Sequence, residues 1–183
     1  MFTDPIKNLK TLGLRENDIV VDLGAGTGFY SVAAGHIVTK GKVYAVEISK
    51  DFLATIKNKV KEAHLRNVEI IWGNIEKLGG TKIGDRVADA VIVSNVLFQV
   101  EDKEKFVLEI KRILKEKGQV LLIDWSESSP PERLASFSRA GIMGLRGALP
   151  KNQAEGIFES QGFFKDRDVN AGTQHYGMIL RRE

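Results

Sequence analysis

Val20-Val21-Asp22-Leu23-Gly24-Ala25-Gly26-Thr27-Gly28-Phe29-Tyr30 is the stretch on which the fold is decided. An apolar run ends in an acid, and glycines follow at every second position. A helix-compatible apolar run from Phe29 to Val38 comes next. This order predicts a buried strand, a tight turn and a helix N-terminus. Glycines in such a turn let the backbone approach a ligand that a Cβ would exclude, and they take positive φ without steric cost. Asp22, ending the strand, is placed to accept a hydrogen bond from a ligand amine or from the turn's own N–H groups. The competing reading is a turn that holds nothing, but clustered glycines weaken a chain unless they are used.

The flanking sequence repeats the same alternation. Upstream, Asp4-Pro5 suits an N-cap and first helical position, and Ile6, Leu9 and Leu12 lead to a closing Gly13. Ile19-Val20-Val21 is then the first strand. Lys42 to Val46 reads as the second, ending in Glu47. Ser49 suits the N-cap of a helix reaching about Arg66, with Asn67 ending it. Val68 to Trp72 is a third strand, followed by Gly73-Asn74-Ile75, and Ala88 to Val93 a fourth. That fourth run is almost continuously apolar, as parallel strands covered on both faces are. Asp102 to Lys117 is expected to be one helix capped by Gly118, and Gln119 to Ile123 a fifth strand ending in Asp124-Trp125. Alternation of this kind predicts right-handed crossovers and an open, doubly wound α/β sheet with helices on both faces. Ligands of such sheets bind beyond the carboxyl ends of the strands. Asp22, Glu47, Asn74, Ser94, Asn95 and Asp124 all fall there.

Beyond Trp125 the pattern changes. Ser126 to Pro131 is a loop by composition. Residues 132–149 interleave Leu134, Phe137, Ile142, Met143 and Leu145 with Arg133, Arg139 and Arg146, and read as a helix breaking at Gly141, Gly144 and Gly147. Pro150 opens another helix to about Gln161. Phe163 to Val169 and Gln174 to Arg181 then read as a closing hairpin.

The 183 residues suffice for one domain over 1–183 with a substantial core. The composition, 43% hydrophobic and 28% charged, is that of a soluble globular protein, and a net charge of +3 gives no argument for nucleic acid. Absence of cysteine removes disulfides, thiolate metal ligands and thiol nucleophiles, and is compatible with a cytoplasmic location. No run approaches the roughly 18 apolar residues of a membrane span. Met1 to Pro5 lacks the basic and apolar regions of a signal peptide, so none is expected.

Two cofactor classes place a glycine turn after the first strand and a ribose-binding acid after the second. Glu47, 19 residues beyond Gly28, suits either. Nicotinamide dinucleotides bring a pyrophosphate to a G-x-G-x-x-G turn. Here the spacing is Gly24-x-Gly26-x-Gly28, one residue tighter, with Asp22 two residues ahead. A carboxylate repels a pyrophosphate and attracts an ammonium, so the electrostatics favour a cationic, phosphate-free nucleoside. An NAD(P)-dependent oxidoreductase remains the alternative at this point.

In Asp22 to Gly28 the chain resembles the first motif of the class I S-adenosylmethionine (SAM)-dependent methyltransferases. Asp89 to Leu97 resembles their fourth motif, and Lys111 to Asp124 the helix–Gly–strand segment that follows. The architecture is most similar to the small-molecule enzymes of ubiquinone and menaquinone biosynthesis type. The resemblance implies a Rossmann-like sheet of seven strands, mostly parallel, with the closing hairpin supplying an antiparallel strand. It implies SAM as cofactor. Asp22, Gly24, Ala25, Gly26 and Gly28 would then receive its methionine end, with Tyr30 closing over it or simply packing. Glu47 would hold the ribose, and Ile48 and Ile75 would sandwich an adenine read by Asn74, where family members usually carry Asp. Ser94 and Asn95 complete the cofactor set.

The acceptor is less legible. Phe98 and Trp125 are candidates for its walls, although aromatics are commonly core residues. His175 could act as a general base if it faced the pocket, and strand packing is the stronger reading. Asp124 could contact substrate or take a proton, or cap a loop. Residues 126–150 suggest an acceptor lid, with apolar side chains for an apolar molecule and arginines for a carboxylate or phosphate on it; covering the sheet edge is the alternative. A small-molecule acceptor is expected, no metal is implied, and a catalytically silent SAM-binding protein is a further alternative.

Overall fold

The computed structural model describes residues 4–127 and 148–183. The segment read as an acceptor lid therefore lies mostly outside the described residues. Helix α1, Pro5–Leu12, starts where Asp4 accepts from the Lys7 N–H and ends at left-handed Gly13. Next come β1 (Ile19–Leu23), α2 (Phe29–Ile37), β2 (Lys42–Glu47), α3 (Lys50–Glu62), β3 (Val68–Trp72) and β4 (Ala88–Ser94). A single 3₁₀ turn at Leu97–Gln99 leads to α4 (Lys103–Ile113) and β5 (Leu114–Trp125). Helix α5 (Lys151–Glu159), β6 (Phe163–Asp168) and β7 (His175–Arg182) complete the described chain.

The seven strands form one sheet in the order β3-β2-β1-β4-β5-β7-β6. Neighbours pair in parallel from β3 across to β5, and β7 runs antiparallel to both β5 and β6. Strand alternation sends successive side chains to opposite faces. Val20, Ala90, Ile92, Leu121, Ile123 and Ile179 meet Leu9 and Leu12 of α1 and Ala33 and Ala34 of α2 on one face. Val21, Val91, Val93, Leu122 and Met178 meet Phe106 and Ile110 of α4 and Phe158 of α5 on the other. Adjacent strands β1 and β4 thus send their crossovers to opposite faces. The crevice between their carboxyl ends is the topological switch point of the sheet.

Two expected helix ends are corrected. Helix α3 stops at Glu62 rather than near Arg66. His64 takes φ 54°, and the Leu65 and His64 N–H groups return to the carbonyls of Val60 and Lys61. That is the hydrogen-bond pattern of a Schellman cap, with histidine in the place glycine usually takes. Helix α4 stops at Ile113 rather than Lys117, and Gly118 is not its cap. Leu114 already pairs with Ala88, and the register between β4 and β5 then shifts before Ala90 meets Gln119. Lys117 takes φ 60° in that bulge. The helix's last carbonyls are satisfied from elsewhere: Arg86 N–H donates to Arg112 O, Val87 N–H to Ile113 O, and the Arg182 guanidinium to Lys111 O and Leu114 O.

Candidate functional site

The glycine turn is held from both sides. The N–H groups of Gly24 and Ala25 donate to Val46 O at 2.9 and 3.1 Å. Gly24 has φ +68°, and a Cβ there would lie 2.6 Å from Cγ2 of Val96, just past β4. The turn therefore closes directly over the switch point. Gly26 also has positive φ, +54°, but a Cβ there would meet nothing nearer than Gly24 O at 3.9 Å. The two glycines do different work: Gly24 allows close packing, while Gly26 keeps the space before the turn open. Gly24→Ala is expected to cost about 1–3 kcal/mol of stability in urea titration, from the clash and the backbone together. Gly26→Ala should cost about 1 kcal/mol.

Glu47 ends β2 and is almost fully buried. Its Oε2 accepts from Gly26 N–H at 3.0 Å, and Oε1 accepts from Ile48 and Ser49 N–H at 2.8 and 2.7 Å. The carboxylate is oriented by backbone donors and ties the glycine turn to the start of α3. Asp22, also buried, points to the α2 face and accepts from the Ser31 hydroxyl at 2.6 Å. Burial pushes its carboxyl up to about 6 against the lowering effect of the Ser31 hydroxyl and N–H, and the Glu47 charge adds to the rise. Two acids thus converge behind one glycine turn. The Tyr30 hydroxyl accepts from Asn8 Nδ2 of α1 at 2.8 Å, which joins α1 to α2 beneath the turn.

Beyond β3, Asn74 and Ile75 are partly buried, and Ile75 Cδ1 lies 3.6 Å from the Cβ position of Gly24. Asn74 Oδ1 accepts from Glu76 N–H at 2.9 Å, an Asx turn that fixes which way the amide faces. Ile48 is partly buried, and its carbonyl accepts from Trp72 Nε1 at 3.0 Å. Ser94 ends β4, and Asn95 follows in a left-handed conformation, φ 56°, with its N–H on Ile123 O. The carboxyl ends of β3, β2, β1 and β4 thus bring Asp22, the glycine turn, Glu47, Ile48, Asn74, Ile75, Ser94 and Asn95 to one sheet edge, while Tyr30 lies on α2 with its hydroxyl bound to Asn8. The set fits a SAM molecule chemically: acids for an ammonium and a ribose diol, apolar side chains for a base, and an open glycine for close approach.

The acceptor candidates divide between the two faces of the sheet. Asp124 and Tyr176 are cross-strand partners on the face that carries α4 and α5. Asp124 is fully buried and accepts from Phe98 N–H at 3.0 Å and Trp125 N–H at 2.8 Å. Burial pushes its carboxyl up to about 7 despite the N–H donors of Trp125, Phe98 and Leu97 and the Lys103 charge. Trp125 and His175, the next pair in the ladder, lie on the opposite face with ring centroids 4.1 Å apart. Phe98 packs with Trp125 and Ala148. Asp124 and His175 are therefore not brought together, and His175 is in a ring stack. The concavity lined by Asn58, Lys61, Glu62 and His64 lies at the far end of α3, toward the amino edge of the sheet.

Sequence reasoning passed over Ser31, Val96 and the group formed by Thr81, Glu109 and Arg112. The one polar side chain before His36 in the apolar α2 run was a signal for Ser31. The i,i+3 acid–arginine pair was a signal for Glu109 and Arg112.

Residues 14–162 match the family model described as a methyltransferase domain. The chain belongs to the class I SAM-dependent methyltransferases. Its similarity to a ubiquinone/menaquinone biosynthesis C-methyltransferase of Haemophilus ducreyi is 29% identity over 147 residues, 78% of this chain and 56% of that protein. A demethylmenaquinone methyltransferase of Listeria welshimeri is 32% identical over 126 residues, 68% of this chain and 52% of that protein. The chain thus spans about half the length of these curated relatives. A SAM-dependent methyltransferase from Aquifex aeolicus superposes with a TM-score of 0.83 at 26% identity, covering 100% of this chain and 91% of that one. The [4+2]-cyclase SpnF shares the fold at a TM-score of 0.77 and 15% identity, covering 96% of this chain and 80% of that one. SAM is the cofactor of this family, which decides the cofactor question against a nicotinamide dinucleotide. Among the described residues, no helix is long and apolar enough to cross a membrane.

Proposed function

We propose that the protein transfers a methyl group from SAM to a carbon of a small quinone precursor of the demethylmenaquinone type. The observation that carries the methyl-donor half is the acid-clamped glycine turn, with Glu47 holding Gly26, Ile48 and Ser49 while Asp22 lies buried behind. The relatives named above support the acceptor class. In this reading Glu47 receives the ribose, Asn74 and Ile75 the base, and the turn the aminoacyl end. Transfer from a sulfonium is an in-line displacement: the S–CH₃ bond breaks as the C–CH₃ bond forms, neutral S-adenosylhomocysteine leaves, and the proton that the methyl replaces on the ring passes to solvent. The protein's contribution is then to align donor and acceptor and to exclude water.

The test incubates the protein with SAM and a short-tailed demethylmenaquinone analogue, reduced to the quinol, beside a pooled metabolite extract. Mass detection should find a product carrying one added CH₂ and stoichiometric S-adenosylhomocysteine. Methylation of another small molecule, with the quinol untouched, would replace the acceptor and keep the activity. Binding of S-adenosylhomocysteine without turnover in either mixture would overturn the activity and favour a silent binding protein.

A further inference from the structure

Behind Asn74 the chain from Gly73 to Val87 crosses from β3 back to β4, and a buried carboxylate of α4 fastens its middle. Glu109 of α4 has no exposed surface. Its Oε2 accepts from Gly79 N–H at 2.8 Å, and its Oε1 accepts from the Thr81 hydroxyl at 2.5 Å and Thr81 N–H at 3.4 Å. Arg112 closes the group, with Nε and Nη2 each 2.8 Å from Glu109 and Nη1 on Asp85 at 2.5 Å. Burial raises the Glu109 carboxyl, and the hydrogen bonds from Arg112, Thr81 and Gly79 more than reverse it, so the group stays ionised.

The residue between the two that Glu109 holds is Gly80, and Gly80 O accepts from Asn74 N–H at 3.0 Å. Gly80 N–H returns to Lys77 O at 2.8 Å. A Cβ at Gly80 would lie 2.2 Å from Asn74 O, and one at Gly73 would lie 2.8 Å from Gly80 O. The carboxylate therefore sets the backbone against which Asn74 and Ile75 are seated. Such a fastening is more than the crossover requires. The loop is already joined to the end of α4 by the Arg86 and Val87 N–H bonds.

We infer that Glu109 is a positioning residue for recognition of the cofactor's base, acting through Gly79-Gly80-Thr81 on Asn74. The inference rests on the base lying at Asn74, as proposed above. An asparagine amide pairs with adenine through its oxygen to the exocyclic amino group and its NH₂ to the ring nitrogen beside it. Hypoxanthine presents the reverse pattern, and an amide free to flip reads both bases. Here the Asx turn to Glu76 N–H opposes the flip, and Glu109 maintains the loop in which that turn sits. The ligand class is thus a 6-amino purine nucleoside, with discrimination against its 6-oxo counterpart.

The experiment measures dissociation constants by calorimetry for S-adenosylhomocysteine and S-inosylhomocysteine with the full chain, its Glu109→Gln and Thr81→Val variants, and thermal melts of each. The unchanged protein should prefer the adenosyl compound by about ten-fold, the scale of one or two net hydrogen bonds. Glu109→Gln should shrink that ratio to about two-fold, and Thr81→Val, which removes only the hydroxyl bond, should give an intermediate ratio. General destabilisation moves both constants together and leaves their ratio alone. An unchanged ratio in either folded variant overturns the inference, as does equal binding of both compounds by the unchanged protein. Failure of the unchanged protein to bind either compound overturns the cofactor reading itself.

Discussion

Glu47→Ala should weaken binding of S-adenosylhomocysteine by roughly 30- to 1000-fold and lower the melting temperature at the same time. Two losses combine. A ribose diol would donate to the carboxylate, and losing that charge-assisted contact costs about 1.5–3 kcal/mol. The carboxylate also accepts from Gly26, Ile48 and Ser49 N–H, at 2.7 to 3.0 Å. Alanine leaves those donors without their acceptor and detaches the glycine turn from the start of α3. The open face of Gly26 is then no longer held where an aminoacyl end would lie, so affinity falls by more than the ribose contacts alone, about 2–4 kcal/mol in all. Calorimetry and a thermal melt on one preparation separate the two roles. A lower melting temperature with an unchanged dissociation constant would mean that Glu47 is a turn clamp and that the ribose lies elsewhere.

The reason Glu47 could be found from sequence, while its second role could not, holds for the site as a whole. Alternating apolar strands and periodic helices are local signals, so the strands, their crossovers and the residues ending β1, β2 and β4 were legible. The acid at the end of β2 followed from spacing. Its hydrogen bond to Gly26 spans 21 residues and depends on how β1 and β2 align, which no local pattern encodes. The Glu109–Thr81 bond, across 28 residues, is of the same kind. Helix ends failed for a related reason. Lys115 to Lys117 have good helical composition on the N-terminal side of Gly118, yet pairing of Leu114 with Ala88 and capping by Arg182 from the last strand end α4 earlier. Tertiary partners overrode propensity there.

The faces of β5 and β7 were also beyond the sequence. Asp124-Trp125 and His175-Tyr176 each place two candidate side chains side by side in the chain, and strand alternation then separates them across the sheet. Asp124 joins the Tyr176 side, where burial and the Asp124 charge hold the Tyr176 phenol well above its ordinary range. Any proton chemistry at the acceptor therefore draws on one face or the other, not on an Asp124–His175 couple.

The Asp124 side of that division has a large consequence for stability. Its carboxyl rises from 3.8 in the absence of the fold to about 7 within it. Between those values the folded chain keeps a proton that the unfolded chain has lost, so the folded state binds more protons and stability falls as pH rises. A displacement of this size corresponds to about 4 kcal/mol, fully retained below pH 4 and fully lost above about pH 7. Asp22, raised to about 6, adds a slope of the same sign that ends one unit earlier. Asp124→Asn holds the side chain neutral at every pH, with one oxygen acceptor where the carboxyl presents Oδ1 to the Trp125 N–H and Oδ2 to the Phe98 N–H, so it also carries a destabilisation that does not vary with pH. Urea titrations from pH 4 to 8 should show the unchanged protein losing stability steeply across pH 4–7. The variant should follow a shallower curve, with the remaining slope confined below about pH 6 where Asp22 titrates. The difference between the two curves should change by about 4 kcal/mol from one end of the range to the other, in the variant's favour as pH rises. Parallel curves would show that Asp124 does not change its charge in this range and that water or a cation reaches it in the folded chain.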